Sequence, residues 1–105
     1  MKLEIDYPAI YVDGLFLCYV GVGDGRDSLR PGRYAVEATY SHAHGKNLVR
    51  VDGLGWIGGN KECECVLGRV RNGSDVIPCE SFEKRILALV ETAQDDGKTV
   101  ELVVK

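Results

Sequence analysis

The chain has 105 residues, 45% hydrophobic and 28% charged, and its 13 basic and 16 acidic residues leave a net charge of −3. That balance suits one soluble globular domain over residues 1–105 and excludes a disordered chain. No basic block is present, so neither nucleic acid nor a membrane surface is an expected partner.

The opening stretch, MKLEIDYP, carries Glu4 and Asp6 and lacks the apolar run of a secretory signal. The longest apolar run, LFLCYVGVG, is too short to cross a bilayer. These features predict a cytoplasmic protein whose four cysteines, Cys18, Cys63, Cys65 and Cys79, are reduced thiols rather than a disulfide framework.

Four turn signals divide the chain: Asp13-Gly14, Asp52-Gly53, Asn72-Gly73 and Asp96-Gly97. Asp-Gly and Asn-Gly accept the positive φ angles of tight hairpins. The first joins AIYV to LFLCYVGV, with Phe16, Cys18, Val20 and Val22 expected on one face. A loop over 23–33, closed by Pro31-Gly32, leads to RYAVEATYSHAH, where Tyr34, Val36, Ala38 and Tyr40 alternate with Glu37, Thr39 and Ser41. NLVRV returns with Val49 and Val51 inward, and GWIGG and ECVLGRVR give two further strands. Phe82, Ile86, Leu89 and Ala93 then repeat at helical spacing, with Ser81 as the expected N-cap and Asp96-Gly97 as the stop, predicting a helix over about 81–94. TVELVV closes the chain as a strand with Val100, Leu102 and Val104 inward. The expected fold is mainly β, an antiparallel barrel-like or sandwich-like sheet with one late helix and a final strand.

Two pairs of residues carry candidate chemistry. On a strand, Cys63 and Cys65 would share a face with Glu64 opposite. Either the pair supplies a nucleophile, which needs a base or a positive field, or both thiols pack as small hydrophobes. His42 and His44 are likewise two apart, near the end of the second hairpin. Brought together, His42, His44, Cys63 and Cys65 would meet the ligand count of a zinc site, although H-x-H with C-x-C is not the spacing of zinc fingers. The plainer reading is two solvated loop histidines and no cofactor. The glycine-rich stretch GVGDG is followed by no helix and has no Walker lysine, so it reads as a connection.

Taken in order, DGLFLCYV, RPGRYAVEATYS, GKNLVRVDGLGWIGGN, CVLG and SFEKRILALVE resemble a bacterial and phage domain family of unknown function. Its pattern includes an isoleucine–histidine–x–glycine–asparagine motif, a glycine–cysteine–isoleucine–leucine strand and a helix opened by serine. The family is distantly similar to the L,D-transpeptidases of the cell wall, in which a cysteine preceded by glycine attacks a peptide carbonyl with a histidine as base. Under this resemblance Cys65 takes the cysteine position, and Gly59 with Asn60 takes the glycine–asparagine. Ile57 replaces the histidine and Glu64 the glycine. Isoleucine accepts no proton, and a carboxylate beside a thiol raises its pKa.

The resemblance therefore implies a pseudoenzyme: a non-catalytic binding or assembly module of phage or prophage type, cytoplasmic or virion-associated. Its partner would be peptidoglycan or a phage structural protein. Trp56, Asn60 and Tyr40 are its candidate binding contacts, the plainer role of the two aromatics being core packing. The alternative is a cysteine-dependent transpeptidase or hydrolase with Cys65 as nucleophile and His42 or His44 as replacement base. The third reading is the zinc module.

Overall fold

The computed structural model describes residues 1–25, 28–73 and 75–105. Alternating apolar residues between glycine turns build nine strands: β1 (Lys2–Asp6), β2 (Ala9–Val12), β3 (Leu15–Val22), β4 (Gly32–Ser41), β5 (Lys46–Val51), β6 (Gly55–Gly58), β7 (Cys65–Asn72), β8 (Asp75–Pro78) and β9 (Glu101–Val104). One helix, α1 (Glu80–Asp95), precedes the last strand.

The sheet order is β3-β2-β1-β9-β4-β5-β6-β7-β8, and β3 also pairs with β7, so eight strands close into a barrel while β8 hangs on β7. The architecture is thus the barrel of the two forms expected. Its pairing is antiparallel except at β1–β9 and β6–β7, which run parallel. A barrel of eight strands encloses only enough room for side chains to fill it. Here Leu3, Ile5, Ile10, Cys18, Val20, Val49, Cys65 and Leu67 belong to that buried core. Ile86, Val90 and Ala93 of α1 join the same core.

β1 is a strand that the turn signals did not mark. Its five residues bury only Leu3 and Ile5, and its place is decided by β9, which pairs with it from the far end of the chain. The first hairpin forms as expected, Asp13 and Gly14 adopting φ of 48° and 85° between Val12 and Leu15. Its face assignment changes, because a register shift puts Tyr11 opposite Phe16 but Ile10 opposite Cys18. The extra residue turns Phe16 outward, 56% exposed, while Cys18 and Val20 stay buried. The predicted loop over 23–33 is shortened by the start of β4 at Gly32, and Arg26 and Asp27 of that loop lie outside the described residues. β4 keeps Val36 inward but changes phase at its end, where Tyr40 is exposed and Ser41 is buried.

Asp52-Gly53 forms part of a three-residue turn, 52–54, rather than a two-residue one. β7 runs through Asn72, which pairs with Asp75, so Asn72 belongs to the strand rather than to the predicted Asn72-Gly73 turn, and Ser74 lies outside the described residues. β9 buries Leu102 and Val104 as expected, and Val100, just before the strand, is buried with them.

The helix begins one residue before the expected start. Cys79, in extended conformation, is its N-cap in place of Ser81. Ile86 and Ala93 are buried as predicted, whereas Leu89 is partly exposed and Val90 and Glu83 take the inner stripe. The stop is a Schellman turn: Lys98 N–H donates to Ala93 and Gly97 N–H to Gln94, with Gly97 at φ 74°. Near that end Gln94 clasps strand β4, its Oε1 accepting from Ala38 N–H at 2.6 Å and its Nε2 donating to Ala38 C=O at 3.5 Å.

Candidate functional site

Three segments meet at the N-terminal end of α1: the β4–β5 turn, the β6–β7 connection and the first turn of the helix. In the β4–β5 turn, Ser41 pairs with Lys46 and Gly45 N–H donates back to Ser41 C=O at 2.8 Å. The buried Ser41 hydroxyl accepts from His44 N–H at 3.2 Å and lies 2.8 Å from His44 Nδ1. This short-range pair turns the His44 ring inward. His42 stays exposed, its ring 5.0 Å from that of Tyr40 in an edge-on contact.

The β6–β7 connection covers only 59–64, although parallel strands ordinarily need a long crossover. It suffices because β6 and β7 share just two paired positions, Ile57 with Cys65 and Gly58 with Val66. The connection is held by its own hydrogen bonds. Asn60 Oδ1 accepts from Glu62 N–H at 2.9 Å, and Asn60 C=O accepts from Cys63 N–H at 3.2 Å. Glu64 C=O accepts from Gly23 N–H, and Glu64 Oε1 accepts from Trp56 N–H at 2.7 Å. Cys63 therefore sits in this loop, not on a strand, and the expected shared strand face of Cys63 and Cys65 does not form.

The helix contributes Glu83, 4% exposed. Its Oε1 accepts from Gly59 N–H at 2.9 Å and its Oε2 pairs with Lys46 Nζ at 2.7 Å. Gly58 makes the assembly possible, since a Cβ there would stand 2.6 Å from Glu83 Oε1 and 2.7 Å from Cys63 Sγ. Cys63 Sγ in turn lies 3.9 Å from His44 Nε2, and the His44 ring packs edge-on against Trp56 with centroids 6.2 Å apart. A chain of polar groups thus runs Ser41–His44–Cys63, flanked by the Glu83–Lys46 ion pair.

The imidazole meets a sulfur, but not the expected one. Cys65 is 1% exposed and belongs to the barrel core, between Val22 of β3 and Ile57 of β6. Cys63 is fully buried, and burial first, then the negative charges of Glu83 and Glu64, pushes its thiol up to about 11. At neutral pH such a thiol is ionised in only about one molecule in ten thousand. His44 Nδ1 rests on a hydroxyl rather than a carboxylate, so the arrangement lacks the group that stabilises an imidazolium in a charged catalytic pair.

Of the four expected zinc ligands, His44 and Cys63 come together. His42 turns to Tyr40 and Cys65 lies inside the barrel. Among the described residues, no group of three or more His, Cys, Asp and Glu side chains is arranged to hold a metal ion. The candidate binding contacts divide as well. Tyr40 is half exposed, Trp56 is partly covered by His44, and Asn60 spends its side-chain oxygen on its own loop.

Sequence reasoning passed over two residues. Glu83 sits in the first turn of the predicted helix, and only its spacing from Ile86 and Val90 marks it as part of the inner stripe. Cys79 is the half-buried thiol at the helix N-cap, its Sγ 3.0 Å from Ser81 Oγ. The Ser81 hydroxyl, helped by backbone N–H groups and Arg69, holds its pKa below the ordinary thiol value. Cys18, by contrast, is pushed up to about 12 by burial. All four cysteines are free.

No protein-family model, no curated protein and no solved structure matches this chain. Among the described residues, no helix is long and apolar enough to cross a membrane.

Proposed function

We propose that this domain is a non-catalytic binding or assembly module in which the Ser41–His44–Cys63–Glu83 cluster serves as a structural clasp. One observation carries the reading: the sulfur that meets an imidazole is fully buried, with its thiol pushed up to about 11. A cysteine nucleophile must be reachable and readily ionised; burial denies Cys63 the first and works against the second. The second sulfur, Cys65, packs in a barrel whose interior is filled by side chains. The cluster's polar groups answer one another: Glu83 takes the Gly59 N–H and the Lys46 ammonium, and Ser41 orients His44. Such a network ties the helix to two loops without needing a ligand. The family resemblance adds a bacterial or phage setting, with peptidoglycan or a phage structural protein as the partner.

The approach of His44 to Cys63 favours one second reading, a cysteine enzyme using Cys63 in place of Cys65. Timed alkylation with iodoacetamide at pH 7, read by peptide mass spectrometry, separates the two. The module reading expects Cys63 and Cys65 to stay unmodified in the folded protein and to react only in denaturant. Selective modification of folded Cys63, with cleavage or transfer of a muropeptide that Cys63→Ser abolishes, would establish the enzyme instead. Metal analysis of the same preparation checks the zinc reading, which requires about one ion per chain.

A further inference from the structure

Strand β8 is the end of the sheet order and pairs with β7 alone. The register sets two faces on this outer ribbon. Val70 opposes Ile77 on one, and Arg71 opposes Val76 on the other. Val76 folds back over the barrel wall, where the missing side chains of Gly21 and Gly68 give it room. Its face is thereby fixed, and the opposite face must look away from the barrel. There Val70 and Ile77 are 49% and 54% exposed, an apolar cross-strand pair in water beside an open edge. Open edges of this kind accept another strand, and natural proteins ordinarily blunt them with charge. This edge is blunted only at its ends, by Asp75 and Pro78.

The charges next to the ribbon say what would fit. Arg33 and Arg50 each pair with a carboxylate, Glu101 and Glu37. Arg69 and Arg71 are exposed, and among the described residues neither has an ion-pair partner. The chain as a whole is acidic, so Arg69 and Arg71, on either side of Val70, form a local concentration of positive charge. Asp75 shares the Ile77 face, by two-residue alternation, and disfavours an acid there.

The geometry points to β8 as the docking edge for an extended partner segment with alternating apolar and acidic side chains, the apolar ones on the Val70–Ile77 face and the acidic ones toward Arg71 and Arg69. Backbone hydrogen bonds along the edge would give affinity, and the two faces would set register and direction. This rests on the binding-module reading and names the chemistry of its partner.

The probe is a synthetic acetylated hexapeptide of alternating valine and glutamate, compared with its valine–lysine counterpart, by amide chemical-shift titration of the full chain. The glutamate peptide is expected to shift and protect amides of 75–77, to weaken as salt rises, and to bind about tenfold more tightly than the lysine peptide. The charge-reversed variant Arg69→Glu/Arg71→Glu, checked for folding by circular dichroism, should lose that preference. Ile77→Thr, a β-compatible change at an exposed position, should weaken both peptides. Equal binding of the two peptides, shifts confined to other strands, or no binding at millimolar peptide would overturn the proposal. Because none of these outcomes involves Cys63, they leave the alkylation result, and with it the module reading, standing or falling separately.

Discussion

Removing the Glu83 carboxylate tests the clasp most directly. Glu83→Ala deletes the acceptor of the Gly59 N–H and the partner of Lys46, and it opens a void beside Cys63. A hydrogen bond to a charged acceptor is worth about 1.5–3 kcal/mol, and an orphaned buried donor adds to the loss, so a total of about 3 kcal/mol is expected. Glu83→Gln keeps an oxygen for Gly59 and should cost about 1–2 kcal/mol. Lys46 has a side chain 40% exposed, so water screens its share and Lys46→Met should cost only about 1 kcal/mol. Glu83 holds the Lys46 ammonium above the usual lysine range. The ion pair is therefore intact at neutral pH and is lost as pH rises through that raised value. Urea unfolding at pH 7 reads all three variants, and with a slope of about 1–2 kcal/mol per molar, Glu83→Ala should lower the midpoint by about 1.5–3 M. If Glu83→Ala cost under about 0.5 kcal/mol, or less than Lys46→Met, the buried carboxylate would not be what ties the helix to the loops.

Other predictions follow from the thiols and from the packing of β8. Cys18 and Cys63 have folded-state pKa values of about 12 and about 11, above the ordinary thiol value of about 8.5 that the unfolded chain would show. The unfolded state then sheds its thiol protons first, so these two thiols leave stability unchanged below about pH 8.5 and lower it by up to about 1.4 kcal/mol per pH unit per thiol as pH climbs toward 11. Urea midpoints at pH 7, 9 and 10 check this, and a Cys18→Val variant should flatten the decline. Cys79, with its lowered pKa and partial exposure, should be the first cysteine that iodoacetamide modifies, and Ser81→Ala should slow that reaction. Gly68→Ala would drive a methyl group into Val76 and the Ile77 carbonyl. It should cost about 2 kcal/mol or more, or detach β8, seen as lost protection of the 75–77 amides.

The β character, the single helix, the late strand and the first hairpin were legible in the chain itself. They follow from short-range rules: a two-residue alternation, a 3.6-residue repeat, and Asp-Gly pairs that tolerate positive φ. Barrel closure was not legible, because it depends on β9 reaching back to pair with β1 and on β7 meeting β3. Those contacts join residues far apart in the chain, and no local pattern encodes them. The same separation hid the site. The sequence reads Ser41, His42 and His44 as one strand run, whereas β4 ends at Ser41 and a four-residue turn, 42–45, brings His44 back onto Ser41. The meeting of His44 with Cys63 rather than Cys65 required a loop that lifts Cys63 off the strand and leaves Cys65 in the core. A one-residue bulge reversed Phe16, and a shift of the helix stripe carried Glu83 inward. Periodicity sets which side chains share a face. Which face is buried, and whether a thiol there is reachable by solvent, is decided only when the whole barrel packs.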